Sequence, residues 1–445
     1  MSTAGSFDIN LTRYFRGIEF VNLFHESGRV KKVLGPIVEG TLPGAVVGGV
    51  CKISQRSMNP VEAEVVGFKD RTAILMPLES VEGISMGARI EQQPGVASVK
   101  MGPWMRGRLL NGNGIPVDGP ADEKLESDDI RPIRSAALTP MQRRTIHSRL
   151  ELGVRSLDAA IPLGQGQRVG VMAASGVGKS VLMGMIARQS KADINVIALI
   201  GERGREVTEF LERDLGPEGM KRSVVIAVTS DESPVLRVRG AFLATTIAEY
   251  FRDQGLNCLL MMDSVTRFAM ALREIGLAAG EPPTSKGYTP SVFNQMPRLL
   301  ERAGAKKGSG SITGIYTVLV EGNDMDDPIA DNVRSIVDGH IVLSREMAAK
   351  NFYPAIDVLS SVSRLSGAIS KPREAELNSN IRNVLATYKN AEDLINIGAY
   401  RKGNNPEWDK AIELYPKVIS FLKQGVNEKT EWTDSFKQLE EIFRG

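Results

Sequence analysis

The stretch VGVMAASGVGKSVLMGMIAR, residues 169–188, constrains the fold more than any other part of the chain. It opens as an apolar, β-branched run, passes through Gly176 and Gly178 to Lys179 and Ser180, and continues with apolar residues at helical spacing. A buried strand, a glycine-bearing turn and a helix that begins at a lysine and a hydroxyl form an anion cradle. Glycines let backbone N–H groups close around phosphate oxygens, and the helix points its positive end at the charge. The candidate nucleotide-binding residues are therefore Ala173, Ala174, Ser175, Gly176, Val177, Gly178, Lys179, Ser180 and Val181. Ala173 stands where such loops usually carry their first glycine, and alanine is the smallest replacement.

A phosphate cradle of this kind works with acidic groups at the ends of neighbouring buried strands. NCLLMMDS places Asp263 at one such end, where it and the Ser180 hydroxyl are candidate magnesium ligands. ALIGERGREV places Glu202 at another, positioned to polarise an attacking water, with Arg203 next to it as a candidate γ-phosphate contact. Lys179 neutralises the β- and γ-phosphates in this reading. The cofactors implied are ATP and Mg2+.

The surrounding pattern supports an α/β core. RVGVMAA, INVIALIG, SVVIAVTS, NCLLMMDS, GSITGIYTVLV and GHIVLS are buried strands that alternate with amphipathic helices from about Gly166 to Ser344, predicting a mostly parallel sheet covered by helices. Between about Val30 and Ile90, short β-branched runs are punctuated by Gly, Pro and Asn, which predicts a small antiparallel barrel. GRLLNGNGIPVDGPADEK reads as turns and a connector rather than packed core. After Lys371 the strand signals fade and three segments carry helical periodicity. The predicted architecture is an α/β nucleotide-binding core with an N-terminal β-barrel domain and a C-terminal α-helical domain. Its boundaries are an amphipathic N-terminal helix at 1–24, the barrel at 25–95, the core at 96–370 and the helical domain at 371–445.

Composition removes several other functions. The 445 residues are 42% hydrophobic and 24% charged, with 55 basic against 53 acidic side chains and a net charge of +2, so no bulk field favours nucleic acid or an anionic membrane. Residues 30 to 90 hold one aromatic, Phe68, which leaves the barrel poorly equipped to stack bases. Cys51 and Cys258 sit in apolar runs and read as buried hydrophobes of a cytoplasmic protein. The three histidines are far apart in sequence, which argues against an imidazole-based metal site. No apolar run approaches the roughly 20 residues of a membrane helix.

Five long motifs in order carry a family resemblance: ASGVGKS, GERGREV, EPPTSKGYTPSVFNQMPRLLERAG, DDPIADNVRSIVDGHIVLSR and YPAIDVLSSVSR. Together they resemble the flagellar type III protein-export ATPases, relatives of the rotary ATP synthase α and β subunits, from about residue 25 to the carboxy terminus. The resemblance implies that Arg267 helps position Glu202, that Tyr353 stacks on adenine, and that Arg364 is an arginine finger completing a neighbour's site. It implies an α/β RecA-like nucleotide-binding core between the N-terminal β-barrel domain and the C-terminal α-helical domain, a homohexameric ring, and a stalk-like regulatory protein at the amino-terminal helix. Export-gate and substrate–chaperone complexes are further implied partners, with peripheral membrane association through them, at the cytoplasmic face of the export apparatus and without nucleic acid.

Related readings remain open. Virulence injectisome ATPases share the same loop; KSVLMGMIAR and GSITGIYTVLVEGNDMDDPIAD resemble the flagellar members more. A rotary synthase catalytic subunit is disfavoured by AASGVGKS in place of a glycine pair and threonine, and a hexameric RNA helicase by the barrel's composition. A nucleotide-binding scaffold without turnover is opposed by the presence of both Glu202 and Arg364. At the amino terminus, Leu11, Tyr14, Phe15, Ile18 and Val21 form an apolar stripe at helical spacing, suited either to packing on the barrel or to docking a partner.

Overall fold

The structure is a computed structural model that describes residues 27–54, 59–120, 127, 129–320 and 327–444. The apolar stripe predicted at the amino terminus, residues 11–21, lies outside the described residues. The chain divides between Val96 and Ala97 into two compact units.

The first unit is a closed barrel of six antiparallel strands, β1 (Ser27–Leu34), β2 (Ile37–Thr41), β3 (Gly49–Ser54), β4 (Val61–Lys69), β5 (Thr72–Pro77) and β6 (Arg89–Val96), in the order β1-β2-β5-β4-β3-β6 with β6 returning to β1. Alternation along each strand sends Val38, Cys51, Ile53, Val65, Leu75 and Ile90 inward. Gly40 is required by the packing, because a Cβ there would stand 2.3 Å from Ile90 Cδ1. Phe68, beside the β4–β5 turn, is half exposed and apart from this core.

The second unit is built on a large sheet. Its strands are β7 (Leu109–Leu110), β8 (Arg168–Ala173), β9 (Ile194–Glu202), β10 (Ser223–Thr229), β11 (Asn257–Asp263), β12 (Ser311–Leu319), β13 (Gly339–Leu343) and β14 (Ile356–Ser363). They lie in the order β14-β13-β8-β12-β11-β9-β10-β7, parallel throughout except for β14 against β13, and a ninth strand of two residues, Gly304–Ala305, pairs antiparallel with β12 off this path. The central strands are buried along nearly their whole length, as parallel strands covered on both faces must be. All six predicted core strands are present. GRLLNGNGIPVDGPADEK differs from its connector reading: Leu109 and Leu110 extend the sheet beside β10, and Leu110 is fully buried. The turn residues that follow hid a strand of two residues.

Helices α1 (Lys179–Gln189), α2 (Pro234–Asp253), α3 (Val265–Ala278) and α4 (Pro290–Leu300) accompany the sheet. Just past α4, the fully buried Arg302 makes a bidentate pair with Glu249 of α2 at 2.9 and 2.6 Å, and donates to Thr246 Oγ1 and the Ile133 carbonyl. The polar groups are thus satisfied in place, which is the condition for burying an ion pair.

The carboxy-terminal helices α5 (Pro372–Asn396), α6 (Pro406–Leu422) and α7 (Trp432–Phe443) pack through Leu377, Ile381, Leu414, Val418 and Leu439 into the core of the same unit. Tyr388 and Tyr415 stack at 3.5 Å where α5 meets α6. Asn405 caps α6 by accepting from the Glu407 and Trp408 amides. The Gln424 side chain fastens this domain to the core. Its Nε2 donates to the Gly153 carbonyl, its Oε1 accepts from the Arg155 amide, and its own backbone N–H donates to the carbonyl of Tyr353.

Candidate active site

The parallel sheet brings its strand ends together. β8 ends at Ala173, β9 at Glu202 and β11 at Asp263, so the glycine loop and both carboxylates meet at the carboxyl edge, where open α/β sheets bind ligands. Ala173, Ala174 and Val177 are buried and anchor the loop, while Ser175 and Gly176 face outward. Gly176 and Gly178 have φ of 79° and 89°, a conformation that side chains rarely tolerate. Gly178 caps α1, whose first residues are Lys179, Ser180 and Val181, all half-buried.

Lys179 Nζ donates to Asp263 Oδ1 and stands 3.9 Å from Glu202 Oε1, so one ammonium serves both carboxylates. Burial first, then the neighbouring Asp263 charge, pushes the Glu202 carboxyl up to about 7, against the pull of Lys179. Glu202 Oε1 is buried with no hydrogen-bond partner among the described residues, and so is Arg267 Nε. Arg267 belongs to the first turn of α3, and its stem packs against the turn before Glu202. A Cβ on Gly201, where φ is 71°, would stand 2.9 Å from Arg267 Cβ.

Magnesium prefers oxygen ligands and keeps several waters. The Ser180 hydroxyl, the Asp263 carboxylate and the orphaned Glu202 oxygen form an oxygen-rich set that suits it and a water beside it.

Tyr353 is 40% exposed, and its ring faces the loop at Gly178. Two predicted residues are not gathered here. Arg203 points to solvent and pairs with Glu206 at 3.7 Å. Arg364 follows β14 and is exposed, its guanidinium directed at the Arg334 carbonyl within the same chain.

Two contacts were not anticipated. Thr317 of β12 is fully buried, and its hydroxyl donates to Asp263 Oδ1 at 2.7 Å. Gln424 holds the backbone of Tyr353 from the helical domain. The one signal for Thr317 was a hydroxyl in the apolar run GIYTVLV.

Three family descriptions match the chain in order: the ATP synthase alpha/beta family beta-barrel domain at residues 30–93, the nucleotide-binding domain of that family at 153–363, and the T3SS EscN ATPase C-terminal domain at 370–441. The flagellum-specific ATP synthase of Bacillus subtilis is 49% identical over 426 residues, covering 95% of this chain and 96% of its own. The type 3 secretion system ATPase of Xanthomonas euvesicatoria is 47% identical over 416 residues, covering 93% of each. The assembled ATPase EscN of enteropathogenic E. coli superposes with a TM-score of 0.87 at 42% identity, over 93% of this chain and 99% of EscN, and it has also been solved in complex with its central stalk EscO. The barrel, the nucleotide core and the helical domain are thus matched in turn, and the chain belongs to the ATP synthase alpha/beta family, among its type III secretion ATPases.

Proposed function

We propose that this chain hydrolyses ATP with magnesium to drive protein export through a flagellar type III apparatus. ATP hydrolysis in type III export is the activity of the family. The observation that carries the mechanism is the convergence of Lys179, Glu202 and Asp263 at the mouth of the glycine loop. Lys179 would bind the phosphates and the loop amides would orient them, with Ser180 and Asp263 as the residues that would hold magnesium. Magnesium, when bound, neutralises charge on the triphosphate. Glu202 orients and polarises the attacking water, and the Arg267 stem supports the strand end that carries it. Tyr353 stacks on adenine.

Arg364 acts in trans, on nucleotide bound to a neighbour in a homohexamer. Its exposure, and its place beside Asp338 and Arg168 at the edge where β8 begins rather than the edge where the glycine loop follows it, support that role. The solved assembly of EscN and its stalk complex support a ring with a stalk partner. The export gate and substrate–chaperone complexes complete the proposed partners, at the cytoplasmic face of the apparatus. The proposed domain limits are 1–24, 25–95, 96–370 and 371–445. The flagellar branch is favoured by relatives of that name at 49 and 50% identity, against 47% for the type 3 secretion system ATPase of Xanthomonas euvesicatoria and 42% for EscN.

Glu202→Gln tests the mechanism. The amide keeps the shape and cannot accept a proton, so ATP binding survives while turnover falls by about 10² to 10⁴; binding lost together with turnover would remove Glu202 from the chemical role. Deleting the gene and scoring flagellar filaments against host-directed secretion tests the branch.

A further inference from the structure

The nucleotide core holds its magnesium-side carboxylate from behind as well as from the front. β12 lies between β8, which leads into the glycine loop, and β11, which ends in Asp263. Thr317 sits on β12 opposite Val171 of β8, with its side chain toward the end of β11. Its hydroxyl is 2.7 Å from Asp263 Oδ1 and 3.3 Å from the Met262 carbonyl, and it has one proton to give. The nearer acceptor is the carboxylate, and a hydrogen bond to an ionised oxygen is the stronger of the two. Lys179 binds the same oxygen.

Lys179 opens the helix beside the loop and is the residue the proposed mechanism assigns to the phosphates. Thr317 is on a central strand and fully buried. We propose that Thr317 is a positioning residue for the magnesium nucleotide: by holding Oδ1 from a buried strand, it fixes the torsion of the Asp263 carboxylate and so the direction in which the other oxygen would meet the metal. The proposal rests on the reading that Asp263 serves magnesium. Partners that orient a metal-binding carboxylate from outside the ligand shell commonly change metal affinity by about 10- to 100-fold when removed.

The test compares Thr317→Val, which keeps the shape without the hydroxyl, with Thr317→Ser, which keeps the hydroxyl. The measurement is the affinity for a fluorescent ADP, titrated with magnesium and repeated in EDTA, alongside kcat and KM. Thr317→Val should need about tenfold more magnesium for half-maximal strengthening of nucleotide binding, with affinity in EDTA unchanged within about twofold. Thr317→Ser should follow the parent in both. A Thr317→Val protein with the parent's magnesium dependence overturns the proposal, and so does a Thr317→Ser protein that fails as badly as Thr317→Val. Thr317→Ala supplies the same comparison if the valine variant does not fold. Asp263→Asn separates the two levels: if it too retains the parent's magnesium dependence, the role of Asp263 itself fails, whereas its loss beside an unaffected Thr317→Val rejects Thr317 alone.

Discussion

Tyr353 faces Gly178, close enough that a Cβ built on that glycine would stand 3.4 Å from the ring's Cε1. The ring therefore flanks the start of α1, beside the phosphate end of the site. Stacking of one base on an aromatic ring is worth about 1–3 kcal/mol. Tyr353→Ala should raise KM for ATP by about tenfold or more and leave kcat within a few-fold, while Tyr353→Phe stays near the parent. Steady-state kinetics read both; an unchanged KM in the alanine variant would remove the ring from the base site.

Arg364→Ala should bind ATP through its own intact loop and hydrolyse it slowly, by about 10³ to 10⁵ if it is a finger. Glu202→Gln should be inactive for the complementary reason. Mixed and assembled, the two variants form some interfaces that pair an unaltered Glu202 with an unaltered Arg364. Partial recovery of activity, rising with protein concentration as oligomers form, is the expected result. Co-assembly without recovery would argue against a finger supplied in trans.

The Arg302–Glu249 pair gives a stability prediction. Removing either partner alone, as in Arg302→Met or Glu249→Leu, strands a buried charge and should cost about 3–5 kcal/mol. The double variant should cost less than the two single costs added, by at least about 1 kcal/mol, because the stranded charge is gone. Urea unfolding of the four proteins closes the cycle, and simple additivity would show that the two groups are not coupled.

Asp158 is buried and accepts from the Leu152 and Gly153 amides at 2.9 and 2.8 Å. Burial outweighs those bonds and raises its carboxyl from 3.8 to about 6. Between these values the folded chain holds a proton that the unfolded chain releases, so this group's contribution to stability falls as pH rises through the window and then levels off. The shift corresponds to roughly 3 kcal/mol. Asp158→Asn has no such dependence, so its stability relative to the parent should improve between pH 4 and pH 7, by up to that amount. Denaturant titrations across the range read the difference; a pH-independent gap would mean that the carboxyl is not perturbed.

The legible parts of the site were those whose chemistry is local. Gly176, Gly178, Lys179 and Ser180 are adjacent in the chain, and Glu202 and Asp263 each end an apolar run that could only be a buried strand. The contact of Thr317 with Asp263 spans 54 positions and exists only because β12 lies beside β11 in one particular register. Gln424 reaches across 271 positions to Gly153, a pairing set by how the helices dock and absent from any local pattern. Leu109 and Leu110 were misread because two residues show no periodicity and glycines, prolines and acids follow them. Arg203 is the contrasting case. It is adjacent to Glu202 in sequence, yet the strand ends between them and Arg203 faces out as the cap of the next helix.

The Gln424 joint ties the helical domain to the backbone of the very residue that flanks the nucleotide loop. One side chain and its own backbone amide thus join the domain of α5, α6 and α7 both to the Gly153–Arg155 backbone and to the backbone of Tyr353, whose ring lies against Gly178, so the seating of the helical domain and the placement of that ring are set by a single residue.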